Sequence, residues 1–454
     1  MFDLTLVGGT LVSPRGRLRA DLGIETGRIT SIAVDLSSAK SLRRIDLANQ
    51  FILPGCIDSH MHLWEAGFVA DPDFSSGTLT ALAGGITTII DQPLAPPEVL
   101  NASVFRAKVA TGEGTSYIDF GLHAGVGHDN LSELEGMWQA GCTAFKIFMS
   151  ESGCKVAALS DGEMLAAFRE IGRLGGTALI HAENEAMLQF NRARLQAMGR
   201  KDPQAFLDWR PPEVEYEAIG RALRLLEGTQ VRAVFLHTTL PEGVDLIQRA
   251  RRHGLDVYVE TCPHNLFLTS ADLAEQGPWV TFAPPVRDPA RADRLLDMLA
   301  EGSIQTMGSD HGAVEPRLKE IGRQDIWQSL FSVPDAETYI CLMLDAVVRG
   351  RLSLERLVAV QAENPARLYG LFPCKGILQP GSDADFTVVD LQITYRLHAA
   401  EMHSACGWIP YEGREITGRV THTILRGRVL MENGNIVGKP GFGRFLPRGP
   451  QFSF

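Results

Sequence analysis

Gly55-Cys56-Ile57-Asp58-Ser59-His60-Met61-His62 follows the apolar run Phe51-Ile52-Leu53-Pro54, so the Pro54-Gly55 break reads as a boundary after which a new strand begins. Side chains alternate faces along a strand, which puts His60 and His62 on one face, a pleat apart. Two imidazoles at that spacing can close on a single metal ion. The pair alone decides little, since most His-x-His pairs are two unrelated histidines. Partners have to come from elsewhere in the chain.

Working outward, the middle of the chain alternates strand and helix signals, as a parallel α/β fold does. Apolar strand-like runs recur at 56–63, 86–92, 118–126, 144–150, 177–183, 233–239, 255–262 and 304–310, with amphipathic helices between them, such as 161–174 and 243–252. Eight strands each followed by helix predict a closed (β/α)8 TIM barrel. An open doubly wound sheet is the alternative, but the Gly-rich turn it needs after the first strand is missing. Two stretches, 200–212 before the sixth strand and 313–334 after the eighth, read as irregular segments at the mouth, where long loops usually cover a substrate.

The ends of the chain have a different texture. Leu4-Thr5-Leu6-Val7, Thr10-Leu11-Val12, Gly23-Ile24-Glu25 and Arg28-Ile29-Thr30 are short strands separated by Gly-containing turns. Similar strands return only at Asp385–Asp390, Val420–Leu425 and Val429–Met431. Too few at either end to stand alone, they predict one small composite β-sandwich domain, built from 1–54 and 378–454, with the barrel (55–377) inserted between.

Composition bounds the partners. The 454 residues are 45% hydrophobic and 21% charged, ordinary for a globular protein with a large core. A net charge of −11 argues against nucleic acid or an anionic membrane as a partner. No apolar run approaches a membrane span, and the first residues lack the basic and apolar regions of an export signal. The seven cysteines are scattered and form no Cys-x-x-Cys, as expected of a reduced, cytoplasmic protein.

The barrel reading has a chemical consequence. Residues that act together sit at the C-terminal ends of different strands. Those ends carry His60 and His62 on the first strand, Lys146 on the fourth and His181 on the fifth. His237 follows on the sixth, and Asp310 with His311 on the eighth. Each interrupts an apolar strand, which is costly without a partner or a metal. One such residue is a satisfied core histidine; several at the same end call for metal. Lys146, flanked by Phe145, Ile147 and Phe148, is expected to be desolvated, which favours its neutral amine. Such an amine can add carbon dioxide to give a carbamate able to bridge two cations. A buried lysine paired with a nearby carboxylate is the other reading, and spacing does not choose between them.

Ile52-Leu53-Pro54-Gly55-Cys56-Ile57-Asp58-Ser59-His60-Met61-His62 resembles the opening motif of the amidohydrolase superfamily, in its cyclic-amidase branch of dihydroorotases, allantoinases and dihydropyrimidinases (hydantoinases). Similar matches follow at Gly84-Gly85-Ile86-Thr87-Thr88, Phe145-Lys146-Ile147-Phe148-Met149, His181-Ala182-Glu183-Asn184, Glu260-Thr261-Cys262-Pro263-His264, Ala283-Pro284-Pro285-Val286-Arg287 and Gly308-Ser309-Asp310-His311. The resemblance implies that His60, His62, a carboxylated Lys146, His181, His237 and Asp310 hold two divalent metal ions. Zinc is the first expectation, with manganese, cobalt or iron as alternatives. It also implies Asp310 as general base, a small cyclic amide as substrate, and a homo-oligomer, either tetramer or dimer. Two such ions lower the pKa of water and polarise a carbonyl, so that an amide ring can open to an acyclic acid.

Departures from the subfamily patterns bear on the ring. Dihydroorotases resemble His-x-His-x-Arg, whereas here Trp64 holds the arginine's place, and Leu94 stands near their usual asparagine. Dihydropyrimidinases carry a tyrosine five residues after the lysine, where this chain has Glu151. Phe148-Met149-Ser150-Glu151-Ser152-Gly153 is similar to allantoinases, so allantoin is the expected substrate, with a hydantoin or another cyclic imide as the alternative. A non-catalytic homologue acting as an assembly protein is a third reading, disfavoured by the filled ligand positions. Trp64, on the face of His60 and His62, is expected to contact the ring, and Ala283 and Phe331 occupy positions that hold substrate in relatives.

Overall fold

The computed structural model describes residues 1–63, 74–151 and 156–453. All eight apolar runs of the middle segment form strands: Cys56–Met61, Ile86–Asp91, Asp119–Leu122 continued by Ala124–Gly125, Phe145–Phe148, Thr177–His181, Arg232–Phe235, Val257–Thr261 and Thr306–Met307. Neighbours pair in parallel and in chain order. The third strand breaks at His123, so the ladder divides into Asp119–Leu122, Ile86–Asp91 and Cys56–Met61 on one side and Ala124–Gly125 through Thr306–Met307 on the other. Beyond the eighth strand, the Asp310 amide donates to the His60 carbonyl (2.8 Å) and the His62 amide to the His311 carbonyl (2.8 Å). The last strand therefore ends against the first. The fold is mixed α/β with a parallel sheet.

Helices cover this sheet for reasons written locally. Helix Asp161–Arg173 starts at Ser160, whose hydroxyl and Glu163 form a capping box, and it buries Met164, Ala167, Phe168 and Ile171 at three- and four-residue spacing. Helix Pro241–Arg252 opens on proline and closes on Arg249, Arg251 and Arg252, which suit the negative end of its dipole. Phe168 is fully buried, so truncating it to alanine costs about 3–5 kcal/mol.

The segment 200–212, expected to be irregular, is largely helical. Asp202 accepts from the Ala205 amide as N-cap, Pro203 opens helix Pro203–Trp209, and a second helix starts at Pro212. Residues 313–334 carry only the short helix Pro316–Glu320 and two 3-10 turns.

Strands from both ends of the chain share one sheet. Phe51–Pro54 lies between Thr10–Ser13 and Phe386–Arg396, and Glu415–Leu425 and Arg428–Glu432 continue it. The N-terminal segment also forms a four-stranded sheet of its own, in which Phe2–Val7 pairs with Asp21–Glu25 and with Ser41–Asp46, a strand the turn pattern did not reveal. Leu6, Leu22 and Ile24 pack with Ile52, Phe386 and Ile424 in one core between the two sheets. Residues after Gly438 leave the sheet. The Leu446 amide donates to the Phe120 carbonyl (2.7 Å), and the Phe120 amide to that of Arg444 (3.0 Å), so the tail lies along the third parallel strand.

Among the described residues, no helix is long and apolar enough to cross a membrane. The six described cysteines are all free thiols.

Candidate active site

The C-terminal ends of the parallel strands converge. His60 Nε2 and His62 Nε2 lie 3.2 and 3.0 Å from the same oxygen, Oδ1 of Asp310. The ligand atoms of these three residues all fall within 4.8 Å of one another. A second group sits beside them: His181 Nδ1 is 3.0 Å from His237 Nε2. The His60 ring is 5.4 Å from both His62 and His237, which joins the two groups. Lys146 is buried, with its ammonium nitrogen 4.9 Å from the centre of the Phe148 ring. Its charge is felt by His60, His62, His181 and His237 alike, so it stands among all four.

Further groups fix these side chains. His60 donates from Nδ1 to Glu260 (2.6 Å), which leaves Nε2 to face Asp310. His181 donates from Nε2 to Glu183 (2.9 Å), and buried Arg210 donates to the same Glu183 oxygen. Burial alone would raise Glu183, but Arg210 and His181 outweigh it and bring it down to about 2. Below the site, the Asp58 carboxylate accepts from the amides of Ser309 (3.0 Å) and His60 (3.1 Å), tying the eighth strand to the first. Burial pushes Asp58 up to about 6, against the pull of those bonds. Gly308 makes that approach: a Cβ there would stand 2.4 Å from the His60 Cβ. His237 and Asp310 both adopt positive φ (35° and 50°), a strain that such residues carry mostly at functional sites.

Glu183, Arg210 and Glu260 did not stand out in the sequence. Glu183 and Glu260 both lie within motifs already quoted, Glu183 two residues past His181 and Glu260 near the end of the seventh strand. Arg210 gave no local signal, because it approaches from the helical segment 203–212.

The donor set suits divalent cations. His237 Nδ1 is buried and meets no hydrogen-bond partner among the described residues, and His60 Nε2 faces the Asp310 carboxylate. Burial holds His62 and His181 below the usual imidazole range and His237 well below it, which keeps lone pairs available. His60 is the exception: burial opposes its charge, yet Asp310 and Glu260 carry it up to about 9. Asp310 is held well below the carboxylate range, because His60 and His62 outweigh its burial.

His62, Lys146, His181, His237 and Asp310 floor a cavity of 420 Å3. Its walls are largely apolar: Leu94, Phe148, Trp209, Phe282, Trp327 and Phe331. Ala283 lines it too, so two of the three residues expected to touch substrate are there; the third, Trp64, lies outside the described residues. Glu151 is also on the wall, with its backbone amide donating to Glu185 (2.7 Å). Among the described residues, no tyrosine lines the cavity. The two mouth segments supply Trp209, Arg210, Trp327 and Phe331, as their position in the chain predicts.

Convergence of histidines, a lysine and an aspartate at the ends of parallel strands is the layout of a metal-dependent hydrolase. The amidohydrolase family model matches residues 51–430, and the chain belongs to that family. It is 37% identical over 451 residues to L-hydantoinase of Paenarthrobacter aurescens, covering 99% of this chain and 98% of that protein. It is 35% identical over 447 residues to allantoinase of Deinococcus radiodurans, with 98% of each chain covered. The solved structure of L-hydantoinase (dihydropyrimidinase) from Arthrobacter aurescens matches with a TM-score of 0.96 at 37% identity, covering 99% of this chain and 100% of that one.

Proposed function

We propose that this chain is a two-metal hydrolase that opens a cyclic amide, and that its ring is a hydantoin bearing an apolar substituent. The observation that carries the substrate reading is the wall formed by Leu94, Phe148, Trp209, Phe282, Trp327 and Phe331. Such a wall rewards apolar area more than a ureido group, and the polar lining residues, among them Glu151, Gln189, Arg192 and Ser332, are left to serve the ring itself. Allantoin, expected from the sequence, carries that polar group, and relatives bearing the names L-hydantoinase and allantoinase are similar to this chain at nearly equal identity. The cavity chemistry therefore favours the hydantoin alternative.

In this reading His60, His62 and Asp310 would hold one ion, His181 and His237 would hold the other, and Lys146, as its carbamate, would be a ligand to both. The bound ions supply a water of lowered pKa and a polarised ring carbonyl. Asp310 takes the proton of the attacking water and returns it to the ring nitrogen as the C–N bond breaks and a C–O bond forms. Its position against His60 and His62 keeps it ionised for the first of these steps. Ala283 and Phe331 border the ring and orient it, and the aromatic wall excludes water from its far side.

The same strand pairings support a closed (β/α)8 barrel, spanning about 55–377, with a composite β-sandwich from 1–54 and 378–454. The tail after Gly438 is the part of that division that joins the barrel instead.

The substrate assay uses metal-loaded enzyme with hydantoin, a 5-benzyl and a 5-isopropyl hydantoin, allantoin, dihydroorotate and succinimide. Ring opening of the substituted hydantoins at the highest kcat/KM is expected. Preference for allantoin by tenfold or more would overturn the substrate reading and restore the allantoinase one.

A further inference from the structure

Arg210 joins the substrate cavity to one half of the metal-ligand set. Its guanidinium is 1% exposed and donates to Glu183, itself fully buried. The Glu183 oxygen that accepts it also accepts from His181 Nε2 at 2.9 Å. The guanidinium carbon lies 4.1 Å from the Trp209 ring centre and 5.2 Å from that of Phe331, both on the cavity wall. The backbone of Arg210 is fixed on both sides: its amide donates into the preceding helix, and its carbonyl accepts from Arg287 Nη1 (2.7 Å). Arg287 is anchored in turn to Glu215 (2.9 Å). A cation held this firmly has one evident task at its tip.

That task follows from the two nitrogens of an imidazole. With Glu183 as acceptor, the His181 proton sits on Nε2, and Nδ1 turns its lone pair toward His237 Nε2 at 3.0 Å. An acceptor behind a ligating histidine fixes both its tautomer and its ring plane. Glu183 can serve because Arg210 compensates its buried charge; removing one partner of such a pair leaves the other stranded. His60, by contrast, has its own acceptor in Glu260, on a different strand.

We propose that Arg210 is a positioning residue that acts through Glu183 to fix His181, and so governs the ion held by His181 and His237 but not the ion held by His60, His62 and Asp310. This rests on the two-metal reading above, and extends it from ligands to the cavity wall. The stacking of Arg210 on Trp209 and Phe331 then makes the wall and the second ion parts of one unit.

The test is a titration of metal-stripped full-length protein with zinc against a calibrated chelator dye, for wild type, Arg210→Gln, Arg210→Lys and Glu183→Gln. Wild type is expected to bind two ions per chain. Arg210→Gln and Glu183→Gln should weaken one of the two by roughly 10–100-fold and leave the other within twofold, with Arg210→Lys in between. The retained ion serves as the internal check that these variants fold. Two ions in Arg210→Gln at wild-type affinities would overturn the inference while leaving the two-metal reading intact. Equal weakening of both ions would also overturn it, by making Arg210 a general structural residue. If wild type itself binds fewer than two ions, the two-metal reading fails first.

Discussion

His181 Nδ1 and His237 Nε2 face each other at 3.0 Å from adjacent parallel strands, while the far nitrogen of His181 is committed to Glu183. Two imidazole nitrogens that close either share a proton or turn both lone pairs on one cation. With His237 held well below the usual imidazole range by burial and by His181, the second arrangement is the natural one. His237→Ala is therefore expected to release one ion per chain and keep the other at the His60, His62 and Asp310 group. Elemental analysis of the dialysed variant checks this. Retention of two ions would remove His237 from the ligand set.

Lys146→Ala removes the proposed bridge. Metal content and turnover should both fall by more than tenfold, and a short carboxylate such as propionate should restore part of each by entering the space. Wild-type metal content and rate in the variant would leave Lys146 as a buried amine with no bridging role.

Asp310→Asn keeps the shape of the side chain but removes the base. Turnover on a verified substrate should drop by about 10²–10⁴-fold, with the folded state retained by circular dichroism. Near-normal kcat would move the search to His264, which is buried close to Asp310 and bonded to Asp335 at 3.0 Å.

Gly308→Ala tests how closely the eighth strand must approach the first. The added Cβ would meet the His60 Cβ at 2.4 Å, and two strand backbones cannot both yield without moving the histidine. Loss of the ion bound by His60, His62 and Asp310 is expected, with the His181 and His237 ion less affected. Unchanged metal content would mean that the strands separate without cost to the site.

How much of this was legible depends on where each residue sits in the chain. The eight parallel strands announce themselves because both of their faces are buried, so each reads as an unbroken apolar run, and a polar residue at its end stands out. That is why His60, His62, Lys146, His181, His237 and Asp310 are visible in the sequence and then found together. Arg210 is invisible by the same logic, since it enters from a helix whose start is marked only by Asp202 and Pro203. Reading 200–212 as irregular passed over that cap. Strand Ser41–Asp46 is illegible for another reason: four of its six residues, Leu42, Arg43, Arg44 and Asp46, are exposed, and the first three in a row give no alternation. The choice between allantoin and an apolar hydantoin turns on the cavity wall, which is gathered from five separated segments that no local motif connects.

The most direct measurement is the rate of hydantoin ring opening as zinc is added back to metal-stripped protein in bicarbonate buffer. The account predicts that activity rises with added metal and saturates at two equivalents per chain, and that the product is the N-carbamoyl acid. Full activity in the stripped protein, or two zinc equivalents bound per chain with no ring opened among hydantoins, allantoin, dihydroorotate and simple imides, would contradict it.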